Sequence, residues 1–167
     1  MLWRLAFLTV FSICEGSIDI LFLILDQEAD HDQKFVNDFR TSTISTCSEQ
    51  KLNCDILSLV TDFPRFYGAW AVWPIVPSLC ARFDASDPER RPPKWLLLTE
   101  PQTEINVGRL KRLLAERDPK ERVFAGHALR DREASIIHHF AFLNDPGKFL
   151  YPDFGGGLLM SWLAVEL

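Results

Sequence analysis

From Lys94 to Leu114 the chain passes from an apolar run through a polar corner into an amphipathic pattern. Trp95-Leu-Leu-Leu-Thr99 is unbroken by any charge, with prolines before it and Glu100 after it. Such a run predicts a strand buried on both faces, in the middle of a parallel sheet. Ile105, Val107, Leu110, Leu113 and Leu114 then predict a helix with one apolar side. The elbow between them, Glu100-Pro-Gln-Thr-Glu104, falls at the carboxyl end of a central strand, with Pro101 fixing its shape. Open α/β sheets hold ligands at that edge, so Glu100, Gln102 and Glu104 are the first candidate site residues.

Upstream, Ile18 to Leu25 predicts another strand, closed by the acids between Asp26 and Asp32. Asp32 is the expected N-cap of a short helix carrying Phe35, Val36 and Phe39. Thr41 to Gln50 reads as a polar connector, and Leu52 to Val60 as the strand that begins a second βα repeat. Pro64, Pro74 and Pro77 argue against one continuous helix between Phe63 and Phe83. The expectation there is a loop, a short strand around Trp70 to Trp73 and a helical turn near Ser78 to Arg82. Its aromatic side chains suit either core packing or stacking on a sugar or base. Asp84 to Pro93 reads as an exposed connector. Beyond the elbow helix, Arg122 to Gly126 predicts a short strand, Glu133 to Phe142 an extended segment and Asn144 to Gly147 a turn. Leu158 to Leu167 predicts an apolar helix that closes the chain.

The 167 residues are 47% apolar and 25% charged, enough for one domain with a real core. A net charge of -5 leaves no footprint for nucleic acid. Arg4, the apolar run Leu5 to Ile13 and the small residues of Cys14-Glu-Gly-Ser17 predict a signal peptide over residues 1–16, with the mature domain at 17–167. A buried first strand is the alternative, because the run is too short to span a bilayer. Export would place the chain in an oxidising compartment, where Cys47 and Cys54 are the pair most easily joined and Cys80 is left over. The chain has no Asn-x-Ser/Thr acceptor.

Gly155-Gly-Gly157 lets backbone approach a ligand, and before a helix it could offer N–H groups to a phosphate. The run lacks the Lys-Ser/Thr of a P-loop, and a flexible turn explains it as well. His138-His139 is a poor metal pair, since adjacent side chains diverge and no further ligand has zinc-site spacing. No Gly-x-Ser-x-Gly elbow is present. Carboxylates just past a central strand can hold a hard divalent cation against a diphosphate leaving group, usually as Asp-x-Asp. Here that corner reads Glu100-Pro101-Gln102.

Phe124-Ala-Gly-His-Ala-Leu-Arg-Asp-Arg-Glu-Ala-Ser-Ile-Ile-His-His-Phe-Ala-Phe142, Tyr151-Pro-Asp-Phe154 with the glycines, and Gly68-Ala-Trp70 through Pro77 carry a likeness to a known family. The chain resembles the fringe-like β-1,3-glycosyltransferases from about Ile18 onward. Within them it is most similar to the amino-terminal of two fringe-like domains in members that add glucose to O-linked fucose on thrombospondin type 1 repeats. The resemblance implies an α/β, Rossmann-like nucleotide-sugar domain of GT-A type, with a mostly parallel central sheet and flanking helices. It implies UDP-glucose and Mn2+ as donor and cofactor, thrombospondin type 1 repeat proteins as acceptors, and residence in the endoplasmic reticulum lumen. The family's metal motif falls on Glu100, Pro101 and Gln102, of which only Glu100 keeps a carboxylate. Its glycine-rich acceptor-side motif falls on Gly155, Gly156 and Gly157, with Asp153 beside them as a candidate ligand-binding residue. The family's catalytic base lies beyond Leu167, so the resemblance implies a C-terminally incomplete, catalytically degenerate domain partnered by a second, catalytic one. The remaining readings are a non-catalytic module that grips the protein acceptor, and an active metal-dependent transferase using Glu100.

Overall fold

The computed structural model of the chain describes residues 17–66, 72–87, 90–130 and 150–166. In chain order the elements are β1 (Ile20–Ile24), α1 (Asp30–Glu49), β2 (Cys54–Ser58), α2 (Leu59–Asp62), α3 (Val72–Cys80), β3 (Trp95–Thr99), α4 (Val107–Ala115), β4 (Phe124–Gly126), β5 (Ala128–Arg130), β6 (Leu150–Pro152), a 3-10 turn (Phe154–Gly156), β7 (Leu158–Ser161) and α5 (Trp162–Val165). Among the described residues, one sheet has five strands in the order β2-β1-β3-β7-β4, and β5 pairs with β6 in a small ribbon. The apolar run Trp95–Thr99 is therefore the middle strand, and all five of its residues are buried.

Side chains alternate across a strand, so β3 feeds two cores. Leu96 and Leu98 join Leu21, Leu23, Ile75, Leu79 and Trp162 on one face. Trp95 and Leu97 join Ile20, Phe22, Phe39 and Val107 on the other. Each such apolar side chain contributes about 1.5–3 kcal/mol when fully buried. β1 has no exposed surface at all, so the β1–β3 pair is the least replaceable part of the sheet.

The sheet is mixed, where a mostly parallel one was expected. β1 runs parallel to β2 and β3, but β7 lies antiparallel between β3 and β4. The helix expected over Leu158 to Leu167 is accordingly corrected to a strand and one short helical turn. Leu158 and Met160 pack on one face and Leu159 on the other. A short apolar run buried on both sides has no periodicity to separate strand from helix. Trp162 and Val165 are buried in the core.

Four further expectations change. α1 runs through Glu49, so the Thr41 to Gln50 connector is helical. The hydroxyls of Thr41, Ser42 and Thr46 donate to the carbonyls of Asn37, Asp38 and Ser42, which satisfies them within the helix. Val36, Phe39, Thr43 and Cys47 supply its buried stripe, and a Cys47–Cys54 disulfide ties its end to β2. Ala29 occupies the N-cap, not Asp32. Of the strand expected around Trp70 to Trp73, Val72 and Trp73 instead open a helix, α3, which runs on through Ser78 to Cys80 of the turn expected near Ser78 to Arg82. Pro74 sits in its first turn, where N–H groups have no intrahelical partner. Pro77 is inside it, and burial of Ile75 and Leu79 holds the helix despite the lost bond. Leu113, expected on the apolar side of α4, is partly exposed. Phe63 is buried and Phe83 packs edge-on against Trp162, so these two aromatics are core.

The segment 1–16, Gly68 to Ala71, Glu133 to Phe142 with His138-His139, and Asn144 to Gly147 lie outside the described residues. Among the described residues, no helix is long and apolar enough to cross a membrane.

Gly157 takes φ +80° and ψ 143° at the entry to β7, a region that only glycine occupies comfortably. Gly157→Ala is expected to destabilise the fold by about 1–3 kcal/mol. Thermal unfolding should register a drop of at least about 2 °C.

Candidate functional site

The chain leaves β1 for β2 on one side and returns to β3 on the other. The carboxyl ends of β1 and β3 thus flank a topological switch point, where open α/β sheets form a ligand crevice. A cavity of about 420 Å3 lies there. Leu25, Gln27, His31 and Asp32 line one wall, and Glu100 and Gln102 the other. The backbone N–H of Leu25 donates to the Thr99 carbonyl at 2.8 Å, holding the two strand ends together.

Asp32 is the centre of this crevice. Its residue is only 7% exposed. Oδ2 accepts from the Gln27 backbone N–H at 3.2 Å, and Oδ1 accepts from the Gln102 side-chain amide at 3.2 Å. The His31 ring nitrogen Nε2 also lies 3.2 Å from Oδ1. A carboxylate only accepts hydrogen bonds, so the Gln102 amide must turn its nitrogen towards Asp32. Behind it, Asp26 is fully buried and accepts from Ser58 Oγ at 2.7 Å, Gln33 Nε2 at 3.0 Å and Val60 N–H at 3.2 Å. That carboxylate is consumed by the scaffold.

Glu100 is different. Its backbone N–H donates to Thr103 Oγ1 at 3.2 Å, but among the described residues its carboxylate has no hydrogen-bond partner. The elbow and the glycine turn meet here. Thr103 Oγ1 donates to the Gly155 carbonyl at 3.1 Å, and a Cβ on Gly155 would stand 3.5 Å from Glu100 Oε2. Glu104 faces away, lining cavities beside α1 and α4.

Of the two readings of Gly155 to Gly157, a phosphate-binding helix start or a turn, the described backbone is a turn. The glycines precede β7, not a helix, and their N–H groups are already used. Gly155 N–H donates to Asp153 Oδ1 at 3.1 Å, Gly156 N–H to the Asp153 carbonyl at 3.2 Å and Gly157 N–H to the Phe154 carbonyl at 3.0 Å. Asp153 is the cap of that turn, and its Oδ2 lies 3.0 Å from His127 Nδ1.

A hard divalent cation needs several oxygen ligands converging on one point. At this corner Gln102 presents N–H to Asp32, and the Glu100 carboxylate has no hydrogen bond among the described residues. Among the described residues, no three His, Cys, Asp or Glu side chains are grouped to hold a metal. The donor set does not fit such a cation. Sequence reasoning located Glu100 and Gln102 but missed Asp32 as a site residue, although its place just after β1 was a usable signal. It also missed His127.

The His127 hydrogen bond, aided by Gly155 and Gly156 N–H, holds the Asp153 carboxyl below its usual value. A lowered folded value stabilises the turn above the unfolded value, and that support is lost as pH falls through the folded one. His127→Ala should therefore move the Asp153 titration, followed by carbonyl NMR, up towards the ordinary carboxylate range. An unchanged midpoint would remove His127 as the cause.

The sequence relatives lie in one direction. The chain is 30% identical to human beta-1,3-glucosyltransferase over 142 residues, covering 85% of this chain and 27% of that protein. It is 27% identical to mouse beta-1,3-glucosyltransferase over 143 residues, covering 86% of this chain and 28% of that protein. The chain thus spans about a quarter of the length of the curated relatives it matches. No family model and no solved structure matches it. By its sequence, the chain is similar over most of its length to about a quarter of these two beta-1,3-glucosyltransferases.

Proposed function

We propose that this chain is the amino-terminal, non-catalytic fringe-like domain, of GT-A type, of a β-1,3-glucosyltransferase acting in the endoplasmic reticulum lumen. The whole enzyme would transfer glucose from UDP-glucose to O-linked fucose on thrombospondin type 1 repeats, with a second domain of the same polypeptide performing the chemistry. One observation carries the non-catalytic part of this reading. At the end of the central strand, where a cation clasp would sit, Gln102 donates an amide hydrogen bond to Asp32. An N–H donor there replaces an oxygen ligand, so Mn2+ and the diphosphate it would neutralise lose their anchor.

The role left to the domain is to support transfer, and gripping the acceptor is the second reading. It is favoured by the contact of Thr103 with Gly155, which lays the glycine turn and Asp153 against the elbow. On this reading Asp153, Gly155, Gly156 and Gly157 would form the acceptor-side surface. An active transferase built on Glu100 would need other carboxylates. Asp153 is engaged by His127 and Gly155, and Glu104 lines different cavities.

The purified chain, given UDP-glucose, Mn2+ and an O-fucosylated thrombospondin repeat, is expected to release no UDP above background. It is expected to retain the repeat on a biosensor surface without nucleotide. Glucose transfer that disappears in Glu100→Ala would overturn the non-catalytic reading.

A further inference from the structure

The crevice at the ends of β1 and β3 lies between two chain segments and carries Gln27, His31, Asp32, Glu100 and Gln102 in its lining, yet its chemistry is wrong for a sugar nucleotide. None of its lining residues is Lys or Arg. A diphosphate there would meet the carboxylates of Asp32 and Glu100 with no Lys or Arg in the wall, the His31 ring already set against Asp32, and no group of three metal-ligating side chains among the described residues to recruit a cation. Anions require the opposite arrangement, with Arg, Lys or free backbone N–H groups aimed at them. The nearby glycine N–H groups are occupied within their own turn.

What the crevice does present is acceptors. Glu100 has a carboxylate with no hydrogen bond among the described residues. Gln102 commits its nitrogen to Asp32, which leaves its side-chain carbonyl oxygen as an acceptor. Asp32 is held rigid by Gln27, His31 and Gln102. Rigid acceptors in a small cavity suit a ligand with several O–H donors and no charge.

We infer that this crevice is a metal-independent site for an uncharged, hydroxyl-rich ligand, a saccharide and not a sugar nucleotide. The Gln102–Asp32 hydrogen bond takes over the bridging that an ion would supply. It ties the segment after β1 to the elbow after β3 across 70 residues of sequence. The inference deepens the proposed function and rests on it for the choice of a sugar over other polyhydroxylated ligands.

The test is an amide NMR titration of the whole chain with methyl β-D-glucopyranoside, and separately with UDP plus Mn2+. The glycoside is expected to shift the backbone amides of Gln27, Asp32 and Gln102 saturably without metal. Glu100→Gln should weaken that binding about tenfold, since it removes a charged acceptor. Thermal unfolding should show the variant folded, because no described hydrogen bond depends on the Glu100 carboxylate. UDP with Mn2+ is expected to leave the three amides unmoved. Absence of glycoside shifts at these amides, or equal affinity in Glu100→Gln, overturns the inference while the non-catalytic domain reading stands. Saturable binding of UDP with Mn2+ in the crevice overturns both.

Discussion

The fold depends on β3 being buried along its whole length while its last residue opens onto the sheet's carboxyl edge. Five consecutive residues from Trp95 to Thr99 leave solvent, with β1 parallel on one flank and β7 antiparallel on the other. A strand so placed cannot slip by one residue without turning both cores inside out. Glu100, Pro101 and Gln102 are therefore delivered to a fixed point. Because β1 ends beside it, the acids that follow β1 arrive at the same point.

Whether that point behaves as an ion site or something else is decided by one side chain. An amide and a carboxylate have nearly the same size, but the amide brings hydrogens where the carboxylate brings charge. Gln102 adds no negative charge to the two carboxylates, Asp32 and Glu100, that share this crevice. Asp32 has its hydrogen bonds already. Hydrogen bonds from Gln27 and Gln102 and the His31 ring organise the carboxylate of Asp32 in the crevice.

Much of this was readable along the chain. The strands β1, β2 and β3 announce themselves as apolar runs, and the elbow's position at a sheet edge follows from β3 alone. α4 was legible from Ile105, Val107, Leu110 and Leu114. The failures have physical causes. Ser and Thr suggest loops because their hydroxyls compete for backbone groups, yet in α1 those hydroxyls bond one turn back and the buried stripe through Cys47 prevails. In α3, Ile75 and Leu79 bury deeply enough to carry a proline. Leu158 to Ser161 is buried on both faces, so no alternation distinguished strand from helix. The elbow carrying Gln102 follows β3 as expected, but its partner Asp32 lies 70 positions away, and only the β1–β3 pairing brings them together.

The most direct measurement is a titration of Mn2+ into the unaltered chain and into Gln102→Asp, followed by calorimetry or by the loss of the free-ion electron paramagnetic resonance signal. If the amide stands where an ion would, the unaltered chain will show no saturable binding, and Gln102→Asp, which adds a carboxylate beside Asp32 and Glu100, will acquire it. Saturable Mn2+ binding by the unaltered chain would contradict this.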